Sequence, residues 1–145
     1  MTSSTRFVVA VHILTLIAYL EDESVTSQVA AGSVNTNPVV IRRITSALSK
    51  AGLITTQPGA AGGSKLTRQP KHINLLEVYR AVEASEFFAL HSQPPNEECV
   101  VGRGIQAALT DTLDAAQHAL EEVLAQTTLA QVLENLKAIP KKKDA

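Results

Sequence analysis

What most restricts the fold of this chain is the switch from helical to hairpin signals between Asn37 and Arg68. Asn37 stands immediately before Pro38, an N-cap followed by proline at the first helical position, where the missing N–H costs nothing. Val40, Ile41, Ile44 and Leu48 mark an inner face, and Val39, Arg42, Arg43, Ser46 and Lys50 an outer one, until Gly52 supplies a stop. The β-branched run Leu53-Ile54-Thr55-Thr56-Gln57 follows at once. Pro58-Gly59-Ala60-Ala61-Gly62-Gly63 then forms a flexible tip before Ser64-Lys65-Leu66-Thr67-Arg68. An amphipathic helix running straight into a short basic hairpin is compatible with few architectures.

The flanking segments narrow the choice. A first helix from about Thr5 to Leu20, capped by Ser3 or Ser4, repeats Phe7, Val11, Leu14 and Ala18 at spacings of three and four. Thr26 caps a second, short helix that Gly32 is expected to end, with Ser33 to Thr36 as the link to Asn37. Two short helices joined by such a turn make a helix-turn-helix, and the hairpin behind them makes it winged. Asn74 and Glu77 form a capping box for a further helix through Val82. After the loop Pro94-Pro95-Asn96 comes a long helix, about Val101 to Ala125, with the near-heptad stripe Ile105, Leu109, Leu113, Ala116, Leu120 and Val123. No other helix in the chain matches its length, so a second copy is the expected partner and the stripe the dimerisation face. Leu129, Val132, Leu133 and Leu136 mark a last helix before Pro140.

The expected fold is therefore mainly α: a winged helix-turn-helix with a small β-hairpin wing and a long C-terminal dimerisation helix. Its divisions are 1–84 for the winged unit, 85–100 for a connecting sensor-like loop, 101–139 for the dimerisation helices and 140–145 for a disordered basic tail.

Composition supports a helical core, since 45% of residues are apolar yet only 3% are aromatic and Trp is absent. The formal charge of −1 hides a segregation. Arg42, Arg43, Lys50, Lys65, Arg68 and Lys71 lie between Thr26 and His72, a stretch without Asp or Glu, whereas acids dominate from Ile73 to Asn135. One segment is built to approach an anion. No apolar run approaches the roughly 20 residues of a membrane span, and the protein is expected in the cytoplasm.

Catalytic and metal chemistry find little support. Cys99 is the single cysteine, and the histidines at 12, 72, 91 and 118 fall at no metal-ligand spacing. Around Gly59 to Lys65 a Walker loop would need Gly where Ser64 stands and Ser or Thr where Leu66 stands. No Ser-His-Asp order or paired carboxylates suggest an active site, so the chain is read as no enzyme, with no metal and no cofactor.

Double-stranded DNA is the expected partner. The third helix would enter the major groove with Val39 on its DNA-binding face, and Asn35, Thr36, Asn37 and Arg42 would contact the bases, because Arg can grip guanine and Asn adenine through paired hydrogen bonds. Arg43, Lys50, Arg6, Ser4 and Thr26 would touch phosphates, and Lys65 with Arg68 would reach the backbone or minor groove from the wing. A twofold dimer calls for an approximately palindromic operator. The rival reading is a winged helix that binds another protein and leaves DNA alone.

The residues Ser4-Thr5-Arg6-Phe7, Asn35-Thr36-Asn37-Pro38-Val39-Val40-Ile41-Arg42-Arg43, Lys50-Ala51-Gly52-Leu53-Ile54, Gly62-Gly63 and Leu75-Leu76-Glu77-Val78-Tyr79-Arg80-Ala81-Val82-Glu83 together resemble the Rrf-type regulators, relatives of IscR, NsrR and CymR. Asn35 to Pro38, with Pro95-Asn96 before Cys99, is similar to the YwnA-like branch. The resemblance covers nearly the whole chain. It implies a dimeric winged-helix regulator, here expected to repress, whose long helix crosses to the partner subunit. It also implies a sensory loop around Cys99, which makes that thiol the candidate redox sensor. Cluster-binding members carry three cysteines in this loop; with Cys99 alone, an iron–sulfur cluster is not expected.

Overall fold

The computed structural model describes residues 3–59, 62–83, 86–88, 90 and 93–142, with the side chains of Ser3 and Ser4 outside that description. Helix α1 (Ser3–Tyr19) turns Ala10, Ile13, Leu14 and Ile17 into the core. Helix α2 (Ser27–Val34) is capped by Thr26, whose Oγ1 accepts from the Val29 N–H at 3.2 Å. Gly32 does not end this helix, contrary to the expectation from sequence. The helix continues to Val34 and closes at Asn35, which takes the left-handed conformation φ 63, ψ 50 and donates its N–H to the Ala31 carbonyl. A short polar side chain tolerates that region, so Asn35 performs the stop usually left to glycine.

Helix α3 (Pro38–Lys50) begins as its cap signal requires, with Asn37 Oδ1 accepting from the Val40 N–H at 3.1 Å. Ile41, Ile44 and Leu48 are buried beneath it, and Gly52, at φ 79, makes the turn into the hairpin. Strands β1 (Ile54–Gln57) and β2 (Gly63–Leu66) pair antiparallel, Ile54 opposite Leu66 and Gln57 opposite Gly63. Val25 adds a bridge to Ser64, with Ser64 N–H to Val25 carbonyl at 2.8 Å and the reciprocal bond at 3.2 Å, a third edge with no strand signal in the sequence.

This bridge explains the paired glycines. Gly63 sits at φ 135, where a Cβ would come within 2.9 Å of the Val25 backbone, and a Cβ on Gly62 would run into the Gln57 carbonyl. Their first duty is therefore closure of the hairpin, beyond the flexible tip that the sequence suggested.

A 3₁₀ turn (Pro70–His72) leads to helix α4 (Leu75–Val82), whose capping box is complete: Asn74 Oδ1 accepts from the Glu77 N–H and Glu77 Oε2 from the Asn74 N–H. Helix α5 (Val100–Gln126) packs against α4, and Gln117 alone among its residues is buried. In its stripe, Leu109 and Val123 are exposed, while Ile105, Leu113, Ala116 and Leu120 are half-buried.

Helix α6 (Leu129–Lys137) returns to the winged unit. An isolated bridge between Asn74 and Thr128 places the Leu129 N–H 2.8 Å from the Ile73 carbonyl and the Leu75 N–H 2.9 Å from the Thr127 carbonyl. Leu129 is buried in the same core as Ile13, Leu48 and Val78. Through Leu129, α6 shares the core of the winged unit. Of the expected tail, residues 143–145 lie outside the described residues, as do His91 and the wing-tip Ala60 and Ala61. Among the described residues no helix is long and apolar enough to cross a membrane.

Candidate nucleic-acid interface

The exposed residues of α3 are Val39, Arg42, Arg43, Ser46, Ser49 and Lys50, at the spacing of one helix face, while Ile41, Ile44 and Leu48 face the core. Arg42 and Lys50 border a cleft of about 570 Å³ whose other walls are the N-terminus of α2, at Thr26 and Ser27, and the hairpin from Thr56 to Gly59. No carboxylate lines it. The Val25–Ser64 bridge ties the hairpin to the start of α2, so three backbone elements hold this geometry in common. Unpaired N–H groups at the start of α2 add partial positive charge to the two cations.

The remaining predicted residues are distributed around this cleft with different degrees of freedom. Asn35 is exposed, but its conformation serves the α2 stop; Thr36 is half-buried and its N–H donates to the Ala31 carbonyl. Asn37 spends its carbonyl oxygen on the α3 cap, which leaves the amide NH₂ as its free group. Thr26 likewise has its oxygen engaged but keeps a hydroxyl proton to donate. Arg43 lies with Arg6 on a second depression beside Val40 and Val82.

Two of the expected phosphate contacts are already engaged. Arg6 Nη2 lies 3.4 Å from Glu83 Oε2, on a carboxylate side chain only 2% exposed. Arg68 Nη1 donates to Glu77 Oε1 and to the His72 carbonyl, both at 3.0 Å, and so fastens the end of the hairpin to α4. Lys65 stands exposed on the opposite face of β2 from Ser64, over a cleft that also contains Glu21 and Asp22. The side chain of Ser4 lies outside the described residues.

The cleft also recruits residues the sequence did not single out: Ser27, Thr45, Ser49 and Gln57. Thr45 and Ser49 follow Arg42 by three and seven positions, a helical repeat that could have identified them. Gln57 had no signal, because its place depends on the hairpin register.

Cys99 is exposed at the N-cap of α5, and no group of three His, Cys, Asp or Glu side chains among the described residues could hold a metal ion. His12 Nε2 lies 2.8 Å from Ser33 Oγ, a packing role between α1 and α2.

A helix-turn-helix carrying a hairpin wing, with an acid-free cationic cleft between them, defines the winged-helix DNA-binding class. The chain belongs to the Rrf2 family, described as an iron-dependent transcriptional regulator, whose profile matches residues 3–135. It is 47% identical to YwnA of Bacillus subtilis strain 168, named as a candidate HTH-type transcriptional regulator, over 92% of this chain and 98% of that one. It also superposes on the crystal structure of a candidate DNA-binding protein at 43% identity and TM-score 0.68, covering 88% of this chain and 98% of the other. The Bacillus subtilis global cysteine regulator CymR shares the fold, at TM-score 0.69 and 20% identity over 93% of this chain and 98% of that one. The chain is accordingly a DNA-binding transcriptional regulator of the winged-helix type, as the resemblance implied.

Proposed function

We propose that this regulator acts as a cytoplasmic homodimeric repressor, without enzymatic activity and without an iron–sulfur cluster, on an approximately palindromic operator. The carrying observation is the acid-free cleft that joins Arg42 and Lys50 to the hairpin and to the start of α2. In this reading α3 lies in the major groove, and Val39 and Arg42 face base edges together with the free amide of Asn37. Arg43, Lys50 and the α2 N-terminus take phosphates, and the hairpin tip follows the adjoining backbone. Lys65 reaches a more distant phosphate, and Arg6 and Arg68 hold the interface in shape.

The family description speaks of iron, yet a cluster held by one chain needs several thiolates and this sequence offers Cys99 alone. Cys99, exposed at the start of α5, is the candidate thiol through which an oxidant would act on DNA binding.

Selection of bound fragments from genomic DNA with the purified protein tests the reading. Enrichment of one inverted repeat is expected, with binding unaffected by an iron chelator and lower output from a reporter placed behind that repeat. Absence of any enriched sequence would refute operator recognition. Higher reporter output would refute repression.

A further inference from the structure

The two neighbouring arginines of α3 border different hollows. Arg42 lies on the cleft beneath the hairpin, whereas Arg43, about 100° further round the helix, lies on a separate depression of about 430 Å³ between α1, α3 and α4. Val40, Ile44 and Ala47 line it, sharing with Arg43 the spacings of three and four that define one helix flank, and Val82 joins them from the end of α4. Arg6 completes the rim from α1.

This depression has two guanidinium groups and no carboxylate in its lining. Arg43 is exposed and pairs with no carboxylate among the described residues. Arg6 is held from beneath, its Nη2 3.4 Å from Oε2 of a Glu83 side chain that is only 2% exposed. The other carboxylate oxygen, Glu83 Oε1, is buried with no hydrogen-bond partner. Drawing Arg6 away would strand a buried charge, so this guanidinium stays at the rim. The positive potential of the depression is therefore built into the packing of α1 on α4.

A duplex phosphate approaching Arg43 would use a cation but not the apolar lining. A phosphodiester seated over Val40, Ile44, Ala47 and Val82 would lose water and gain nothing from them. The combination suits a small molecule that is anionic at one end and hydrocarbon at the other. A carboxylate matches the planar fork of a guanidinium, and a ring or branched chain covers the apolar lining. The volume falls in the range of small-molecule sites, about 300–1,000 Å³.

We propose that this depression binds a small carboxylate with an aromatic or branched hydrocarbon body, and that the bound carboxylate withdraws Arg43 from the operator. The second half rests on the reading of Arg43 as a phosphate contact, and the first half does not. Because the ligand takes up the same cation that DNA would use, it weakens the operator complex by no more than the loss of Arg43 itself.

The test titrates phenylacetate and isovalerate into the full chain by calorimetry at fixed ionic strength. Acetate supplies the charge without the body, and benzyl alcohol the body without the charge. Saturable binding at one site per chain is expected from phenylacetate or isovalerate, about tenfold or more tighter than from either control probe, since each control lacks one of the two contacts. Arg43→Gln, and Ala47→Glu, which sets a carboxylate in the lining, should each weaken it about tenfold or more, the size of one lost hydrogen bond to a charged group. Lys71→Gln, which removes an exposed cation elsewhere, should leave it unchanged, and circular dichroism melting confirms that each variant folds. On the operator, a saturating ligand should weaken the unaltered chain and have no further effect on Arg43→Gln. Absence of saturable binding, acetate bound as tightly as the larger acids, or binding indifferent to both depression variants would overturn the site. A bound ligand that leaves operator affinity unchanged would overturn its competition with DNA. Operator affinity unaltered by Arg43→Gln would instead overturn the phosphate contact on which that competition rests.

Discussion

Replacing Leu129 with Ala tests whether α6 is part of the winged core. Leu129 is 0% exposed, and its N–H anchors α6 to the Ile73 carbonyl at 2.8 Å, so the side chain can be withdrawn only by leaving a cavity between α6, the 3₁₀ turn and α1. Leucine-to-alanine changes at such sites cost about 3–5 kcal/mol, the transfer term plus the cavity. At roughly 3 °C per kcal/mol for a chain of this size, Tm should fall by about 10–15 °C in one cooperative transition. Ile139→Ala, just beyond α6 and mostly exposed, is the control and should stay within about 0.5 kcal/mol. Calorimetry at fixed protein concentration reads both, because association shifts Tm by mass action. A loss below about 1 kcal/mol, or a scan in which a separate small transition moves while the main one stays, would place α6 outside the core and refute the argument.

Further substitutions probe the interface and the residues that hold it in shape. Arg42→Ala should cost about 1–3 kcal/mol on the operator and relax discrimination at one base pair, whereas Lys65→Ala should weaken all sequences alike; anisotropy titrations across an operator mutant series separate the two. Asn35→Val forces a β-branched residue into φ 63 and should destabilise by about 1–2 kcal/mol in urea, while Asn35→Gly should be close to neutral. Arg6→Ala leaves the buried Glu83 carboxylate without its cation, and should cost about 1–3 kcal/mol of stability that Glu83→Gln in the same chain largely restores; an unchanged urea midpoint would show that Arg6 does not support the fold.

Local signals made much of this fold legible. The caps at Thr26, Asn37 and Asn74 stand where their side-chain chemistry put them, since a cap needs only a polar oxygen and the next backbone N–H groups. The inner face of α3 followed from spacing alone. Non-local pairing was harder to foresee. The Val25–Ser64 bridge joins residues far apart in sequence, and Val25 alone carries no strand pattern, so both the third sheet edge and the internal need for Gly62 and Gly63 stayed hidden. The Asn74–Thr128 bridge hid the place of α6 in the same way. For the interface, the sequence identified cations but not their partners: Glu83 and Glu77 are acids outside the basic stretch, and only the packing of α4 brings them onto Arg6 and Arg68.

That last distinction sets the expected response of DNA binding to salt. A count of basic residues would credit each protomer with Arg6, Arg42, Arg43, Lys50, Lys65 and Arg68. Arg6 and Arg68 already neutralise carboxylates, and Arg42 faces the bases in the proposed geometry. Arg43, Lys50 and Lys65 remain for phosphates, or about six in a dimer, less where Lys65 stays turned toward Glu21 and Asp22. At about −0.9 per neutralised phosphate, the slope of log K against log salt should fall between about −4 and −5. A slope of −8 or steeper would mean that the Glu77 and Glu83 ion pairs open on the operator. The two arginines would then belong to the DNA contact, and their role in fastening the hairpin and α1 would have to be abandoned.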